Sequence, residues 1–482
     1  MVDFRPAGHV IGRLVVGLGV AMLLPAFLDW FDGNGHWLVF GQTAVITLVA
    51  GIALVLACSN STETGINLQQ KFILTTGIWL ILPVFGALPF FMGATEARFV
   101  DAFFEAMSGL TTTGATVFTG LDHLPRGLLL WRGLMQWFGG IGIIVVALVV
   151  LPQLRVGGMQ IFRTEGVDTQ EDILPRAAAT GRSVAWIYLL LTGLCAVAYQ
   201  WSGLDDFDAV VHAMTTIATG GFANFDDSFT HLGAGTEYVG MLFMLLASLP
   251  FLRYMQLVRG NTGPIVRDSQ IRGFLLVAIV VVAMLTLWQL VMMPVGQEFA
   301  FRKAAFNGIS ILTGTGYVSD DYGRWGGFPV TLFVLVGLIG GCAGSTTCSI
   351  KIFRYQLLIA LVVSQIRRLQ SPQGVFVPKY DQRKVGEDVI SSVMAFFIMF
   401  MFTLIVLAIG LGMTGLDMMT AISGSVSALA NIGPGLGPVI GPTGNFSSIN
   451  DTAKWLLAAG MLVGRLELMV VFVLFTADFW RR

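Results

Sequence analysis

Charge is scarce in this chain. Of 482 residues only 12% are Asp, Glu, Lys or Arg, against roughly 25% in a soluble globular domain. The hydrophobic share is 55% and the mean hydropathy is +0.77. A water-soluble fold is excluded, and a polytopic membrane protein is expected. The net charge of −1 gives no footing for nucleic-acid binding. Cysteine is nearly lacking. Cys58, Cys195, Cys342 and Cys348 fall in or near apolar segments, with neither metal-ligand spacing nor a disulfide framework. Nucleotide fingerprints are missing as well. There is no GxxxxGK[ST], and the glycines of Gly433-Pro434-Gly435-Leu436-Gly437 follow no strand. A cleavable leader is not expected, because Met1 to Pro6 runs into a segment long enough to stay in a bilayer. No nucleophile, metal cluster or acid/base pair stands at membrane depth, so an enzyme is not expected.

Glycine and threonine, by contrast, recur in four places. Thr112-Thr113-Gly114, Ala218-Thr219-Gly220, Gly314-Thr315-Gly316 and Asn431-Ile432-Gly433 each follow a short apolar run. Aligned on Gly114, Gly220, Gly316 and Gly433, the copies are 106, 96 and 117 residues apart, with Ser108, Met214, Ser310 and Ser427 six positions upstream. Such repetition indicates one fold unit used four times. Glycine lets backbone carbonyls be aimed at one point. The third copy, Thr313 to Asp320, reads like a relative of the TVGYG loop, four of which strip an ion of its water in potassium channels.

A span needs about 20 apolar residues. Residues 11–31 and 37–58 qualify and precede the repeats. Each repeat then reads as span, short re-entrant helix, filter, span. The expected elements are 71–92, 100–111, 112–118, 125–152; 183–203, 206–217, 218–224, 236–258; 271–293, 300–312, 313–319, 328–366; and 388–413, 416–430, 431–437, 452–476. The fold class is thus all-α and polytopic: four pseudo-symmetric membrane–pore-loop–membrane repeats plus two N-terminal helices. The expected divisions are 1–70 for the two-helix domain, then 71–182, 183–270, 271–387 and 388–482 for the repeats. With the N-terminus inside, cytoplasmic segments hold 20 Lys and Arg and outside segments seven, which puts both termini in the cytoplasm and all four filters on the outer side. Seven outer cations face 17 carboxylates, among them Asp205, Asp206, Asp208, Asp226, Asp227, Asp320 and Asp321. A cation-concentrating vestibule and ordinary solvated loop charge both fit. The long inner loops 153–182 and 367–387 fit either a partner-docking surface or plain linkers.

Two features depart from a plain pore. The span 328–366 is 39 residues, roughly 58 Å as one helix against a hydrocarbon core of about 30 Å. In its middle lies Gly340-Gly341-Cys342-Ala343-Gly344-Ser345-Thr346-Thr347-Cys348-Ser349, a run of poor helix formers. It reads as a loop at membrane depth below the filter and a candidate gate, although small residues also suit close helix packing. Arg465 falls within a span, where a charge costs at least ~2.5 kcal/mol. It must face a polar interior, opposing a cation in the filter or bonding the broken loop. Glu467, two residues on, points to another face of the helix.

These pieces resemble the Trk/Ktr/HKT superfamily of potassium transporters, and within it the bacterial TrkH branch. The resemblance rests on FFEAMSGLTTTGATVF at 103–118, TIATGGFANFD at 216–226, GTGYVSD at 314–320, GGCAGSTT at 340–347 and GRLE at 464–467, and covers nearly the whole chain. It implies inward K⁺ conduction through one pore per chain, a homodimer in the bacterial inner membrane surrounded by membrane lipid, and a cytoplasmic ring of TrkA-like subunits. The regulatory nucleotide, NAD or ATP, would bind those subunits and not this chain. The resemblance also implies that Gly340 to Thr347 form the gate loop and that Arg465 is the pore arginine. A rival class, an ion-coupled secondary transporter, would want ionisable residues on the path. Only Arg465, Glu467 and His212 stand there.

Overall fold

The computed structural model describes residues 3–61, 66–154, 157–162, 173–381 and 383–481. Among them regular structure is helical apart from two short strand pairs. Ile339–Gly340 runs parallel to Ile350–Lys351, and Lys379–Tyr380 antiparallel to Arg383–Lys384. Among the described residues seven helices are long and apolar enough to cross a membrane, or eight if one bent pair is taken as a single span. Their outward faces expose Val49, Leu56, Ile279, Val291, Ile398 and Phe402, an apolar surface that lipid, not water, suits. The protein is an all-α polytopic membrane protein.

The leading helices Arg5–Phe31 and Trp37–Ala57 form a hairpin. It closes tightly because Gly12 and Gly51 face each other; a Cβ on either would lie 3.1 Å from the other's carbonyl oxygen. Small residues let membrane helices approach this closely. Four units follow. Their first helices are Leu68–Gly86, Ile173–Trp201, Ser269–Met292 and Glu387–Met413. Their short re-entrant helices are Phe99–Leu110, Asp206–Ile217, Gln297–Leu312 and Met418–Ala430, close to where the sequence places them. These are buried along nearly their whole inner length, as from Ala102 to Leu110 and from Ser423 to Ala430. They survive at membrane depth because protein covers them.

The second helices differ from expectation. Arg126–Val145 runs into a π-helical turn at Val146–Val150. The expected span 236–258 is instead Ala234–Ala247 and Phe251–Val258, bent by 90°. Pro250 explains the bend, since it has no N–H to continue the ladder. In the third unit helix Gly327–Gly337 ends early and Ile352–Gln370 resumes after a loop, as the excess length requires. The expected span 452–476 stops at Arg465. Glu467 and Leu468 then take positive φ (61° and 40°) before the turn Met469–Val473. All four second helices therefore lose regularity at the same end of the molecule. Of the two candidate docking loops, 153–182 is described except for 155–156 and 163–172, and from Ile173 it is already the first helix of the second unit. In 367–387 the third unit's helix runs on to Gln370, and the strand pair follows.

Candidate functional site

Each re-entrant helix ends in the same local structure. The backbone N–H of Thr113, Gly220, Thr315 and Ile432 donates to the carbonyl of Ser108, Thr215, Ser310 and Ser427 at 2.8, 2.9, 2.9 and 2.9 Å. One residue before those donors the chain turns left-handed, at Thr112 (φ 51°), Thr219 (49°), Gly314 (68°) and Asn431 (51°). One residue after them it does so again, at Gly114 (84°), Gly221 (77°), Gly316 (82°) and Gly433 (105°). Left-handed backbone is costly for threonine, and such strain collects at functional sites.

This pattern corrects the register of the second repeat. The glycine equivalent to Gly114, Gly316 and Gly433 is Gly221, not Gly220, and the upstream residue is Thr215, not Met214. The second strand is Thr219-Gly220-Gly221, with Ala218 before it. Sequence alignment fails here because two glycines are adjacent, and only backbone torsion tells which one must be glycine.

The four strands close into a ring. A Cβ on Gly114 would land on the carbonyl oxygen of Gly220, on Gly221 that of Thr315, on Gly316 that of Ile432, and on Gly433 that of Thr113. Each glycine thus makes room for the carbonyl preceding its counterpart in the next repeat, in sequence order and back to the start. The carbonyl-rich ends of four helices converge on this ring, and the helix dipole there favours a cation.

Side chains behind the ring hold it. Glu105 accepts from Val117 N–H at 3.0 Å, and Asn307, its counterpart, accepts from Ser319 N–H at 3.1 Å. Gln136 clamps the second strand, donating to Gly220 O at 2.6 Å and accepting from Phe222 N–H at 3.0 Å. Arg132 pairs with fully buried Glu105 at 2.9 Å, and Lys303 with fully buried Glu237 at 2.8 Å. Residues counted by sequence as outer loop charge are thus interior struts. E105A would strand a buried guanidinium and free the Val117 N–H. It is expected to cost about 3–5 kcal/mol, read as a lowered melting temperature of purified protein. A melting temperature equal to wild type would remove Glu105 from this role.

On one side of the ring a cavity of about 290 Å³ collects Gly114, Gly221, Gly316 and Gly433. Of the seven named aspartates only Asp226 lines it, and its carboxylate already accepts from Gly120 and Leu121 N–H at 2.7 and 3.1 Å. Asp208 and Asp320 are likewise engaged by Asn224 and Trp325. Further out, Arg302 holds the Glu298 carboxyl below its ordinary value, and hydrogen bonds from Thr420 do the same for Asp417. The carboxylates near the ring serve mainly as backbone and side-chain anchors.

The loop of the third repeat lies against the other side of the ring. Its Cys348 Sγ is 3.7 Å from Thr112 Oγ1, and a Cβ on Gly314 would lie 3.8 Å from Cys348 N. The bend of the second repeat anchors this loop. Cys342 N–H donates to Ser248 O at 3.1 Å, Thr346 Oγ1 to Ala247 O at 3.1 Å, and Gly344 O accepts from Phe251 N–H at 2.9 Å. Ala343 N–H reaches Gln270 at 2.8 Å, and Ser345 bonds Thr347 at 2.7 Å. Gly340 and Gly341 have no room for a Cβ, against Cys348 backbone and Thr347. Arg465 approaches from the fourth repeat. It contacts Cys348 Sγ and donates to Thr346 O at 3.4 Å and Gly139 O at 3.2 Å. Glu467 pairs instead with fully buried Arg354, whose Nε donates to Gly157 O at 2.8 Å. Lys351 folds back onto Thr347. The space among Cys348, Lys351, Gly464 and Arg465 is about 20 Å³, room for about one water.

Sequence reading missed Gly221, Gln136, Lys351 and Arg354. The last two look like ordinary inner-loop cations. Only the fold shows them buried.

Residues 36–482 match the family described as TrkH: Cation transport protein. The chain is 41% identical to the Trk system potassium uptake protein TrkI of Halomonas elongata, over 99% of this chain and 97% of that one. It is 37% identical to the Trk system potassium uptake protein TrkH of Escherichia coli K12, over 99% of each. The crystal structure of the potassium transporter TrkH from Vibrio parahaemolyticus superposes with a TM-score of 0.90 at 32% identity, over the full length of both chains. A ring of four glycine strands, an occluding loop and a buried arginine beneath them thus stand in a chain that belongs to the TrkH family of cation transport proteins.

Proposed function

We propose that this protein takes up potassium through a gated, selective pore in the bacterial inner membrane. The observation that carries the reading is the closed ring, in which the glycine of each strand makes room for a backbone carbonyl of the next. Rigid carbonyls can replace the hydration shell of a monovalent cation. The filter residues are Thr112, Thr113 and Gly114; Thr219, Gly220 and Gly221; Gly314, Thr315 and Gly316; and Asn431, Ile432 and Gly433. The relatives named for potassium uptake point to K⁺ as the ion. The loop from Gly340 to Cys348 is the gate, and Arg465 is its latch and an electrostatic barrier.

The repeats divide at about residues 71, 183, 271 and 388 after the two-helix domain. Both termini are cytoplasmic, which follows the excess of inner Lys and Arg. The functional unit is a homodimer with TrkA-like cytoplasmic subunits that carry the NAD or ATP site.

Liposomes holding the purified protein test this. Expected is a K⁺ flux that follows the K⁺ electrochemical gradient, exceeds Na⁺ flux and ignores a pH gradient. Flux driven by a pH gradient alone would replace the pore with a coupled transporter.

A further inference from the structure

A second cavity, of about 540 Å³, lies between the first helix, Leu68–Gly86 and Arg126–Val145. It has the size of a small-molecule pocket but not its chemistry, because its walls are apolar and Arg13 is the one charged residue on them. Arg13 is exposed, and no ion pair or hydrogen bond to it is found among the described residues. Its depth is set by the helix. Phe31 ends that span 18 residues later, roughly 27 Å along the axis, against a hydrocarbon core of about 30 Å. Arg13 therefore stands at the headgroup level of one leaflet, and the cavity runs from it toward the bilayer middle, past Gly17, to Trp79, Leu82 and Leu110.

The space is real. A Cβ on Gly17 would meet nothing within 4 Å, and one on Gly142 would first meet the Trp79 ring at 3.8 Å. An apolar cavity of this kind does not hold water, and its open side faces acyl chains. A cation without a counter-charge at the headgroup level, above an apolar slot, matches a lipid with net negative charge.

We infer that this cavity binds an anionic phospholipid, with its phosphate on Arg13 and one acyl chain against Trp79 and Leu110. The site bears on the centre of the molecule from behind. Trp79 is 3% exposed and its ring lies 5.7 Å from the Arg465 guanidinium. Leu110 ends the first re-entrant helix just before Thr112. The inference does not depend on which ion is transported.

Native mass spectrometry of the full chain in mild detergent tests it, with phosphatidylglycerol and phosphatidylcholine of matched chains as probes. Wild type is expected to retain phosphatidylglycerol at least about tenfold better than phosphatidylcholine. R13Q should bring that ratio close to one. G17L, which fills the slot, should lower binding of both lipids. Equal retention of the two headgroups by wild type overturns the proposal, as does unchanged phosphatidylglycerol binding in R13Q. If G17L separates copies of the chain and leaves lipid binding intact, the groove is an interface between copies and the proposal fails. Arg13 lies on the exposed side of its helix, so R13Q decides the matter even where G17L does not fold.

Discussion

Gly221→Ala is expected to abolish selective potassium uptake, while Gly220→Ala leaves much of it. The two positions are neighbours, but a Cβ at each meets a different thing. At Gly221 it would overlap the Thr315 carbonyl, a backbone group in the ring, and φ there is 77°. Both the steric conflict and the left-handed torsion oppose any side chain. The strand must shift, and the Thr315 carbonyl moves with it. At Gly220 the nearest atoms are those of the Gln136 amide, the end of a flexible side chain that can withdraw at the loss of its two hydrogen bonds to the strand. A loss of at least tenfold in K⁺ flux, or a K⁺/Na⁺ ratio near one, is expected for Gly221→Ala, with a several-fold smaller change for Gly220→Ala. Liposome flux of the two variants with both ions measures this. The opposite ranking would restore the register read from sequence and dissolve the four-fold ring.

Arg465→Ala is expected to raise potassium flux by roughly 100- to 1,000-fold per folded molecule. Two effects add. A unit charge a few ångströms from a cation is worth on the order of 3–4 kcal/mol at an effective dielectric of 20, and each 1.4 kcal/mol off a barrier is about tenfold in rate. The same side chain also ties the loop in place, through Thr346 O and Cys348 Sγ, and holds it to Gly139 O. Its removal lowers the barrier and releases the loop. Arg465→Lys keeps the charge but replaces the two-pronged guanidinium, whose separate nitrogens reach these acceptors, by one compact ammonium, so its flux should fall between wild type and the alanine variant. Flux normalised to folded protein, for both variants, is the measurement. Alanine flux at or below wild type, with lysine no different, removes Arg465 from the gate.

The site was legible from sequence where chemistry is local. Thr112, Thr113, Gly114, Gly314, Thr315, Gly316, Asn431, Ile432 and Gly433 stand in the ring as read. The loop at 340–349 follows from the excess length of one apolar stretch. Reading failed where the deciding quantity is a torsion or a distant partner. Gly220 and Gly221 are chemically identical, and only φ separates them. Pro250 breaks one span and Leu466 to Leu468 another. Hydropathy carries on past Pro250, and Arg465 and Glu467 read as two charges inside one continuous span, so neither break was placed. Arg132, Lys303, Lys351 and Arg354 counted as loop charges because sequence cannot show Glu105, Glu237 or Glu467 across a helix interface.

Composition and period alone thus determined a helical membrane protein with four glycine-marked strands, since apolar runs of about 20 residues cross a bilayer as helices and carbonyl aim needs glycine. The tertiary structure decided the rest. It chose which carbonyl meets which glycine, it set the second repeat's bend as the anchor of the third repeat's loop, and it brought Arg465 from the fourth repeat to Cys348. Those contacts join residues more than 90 positions apart. Their energies depend on distances that exist only once the four units have closed around one axis.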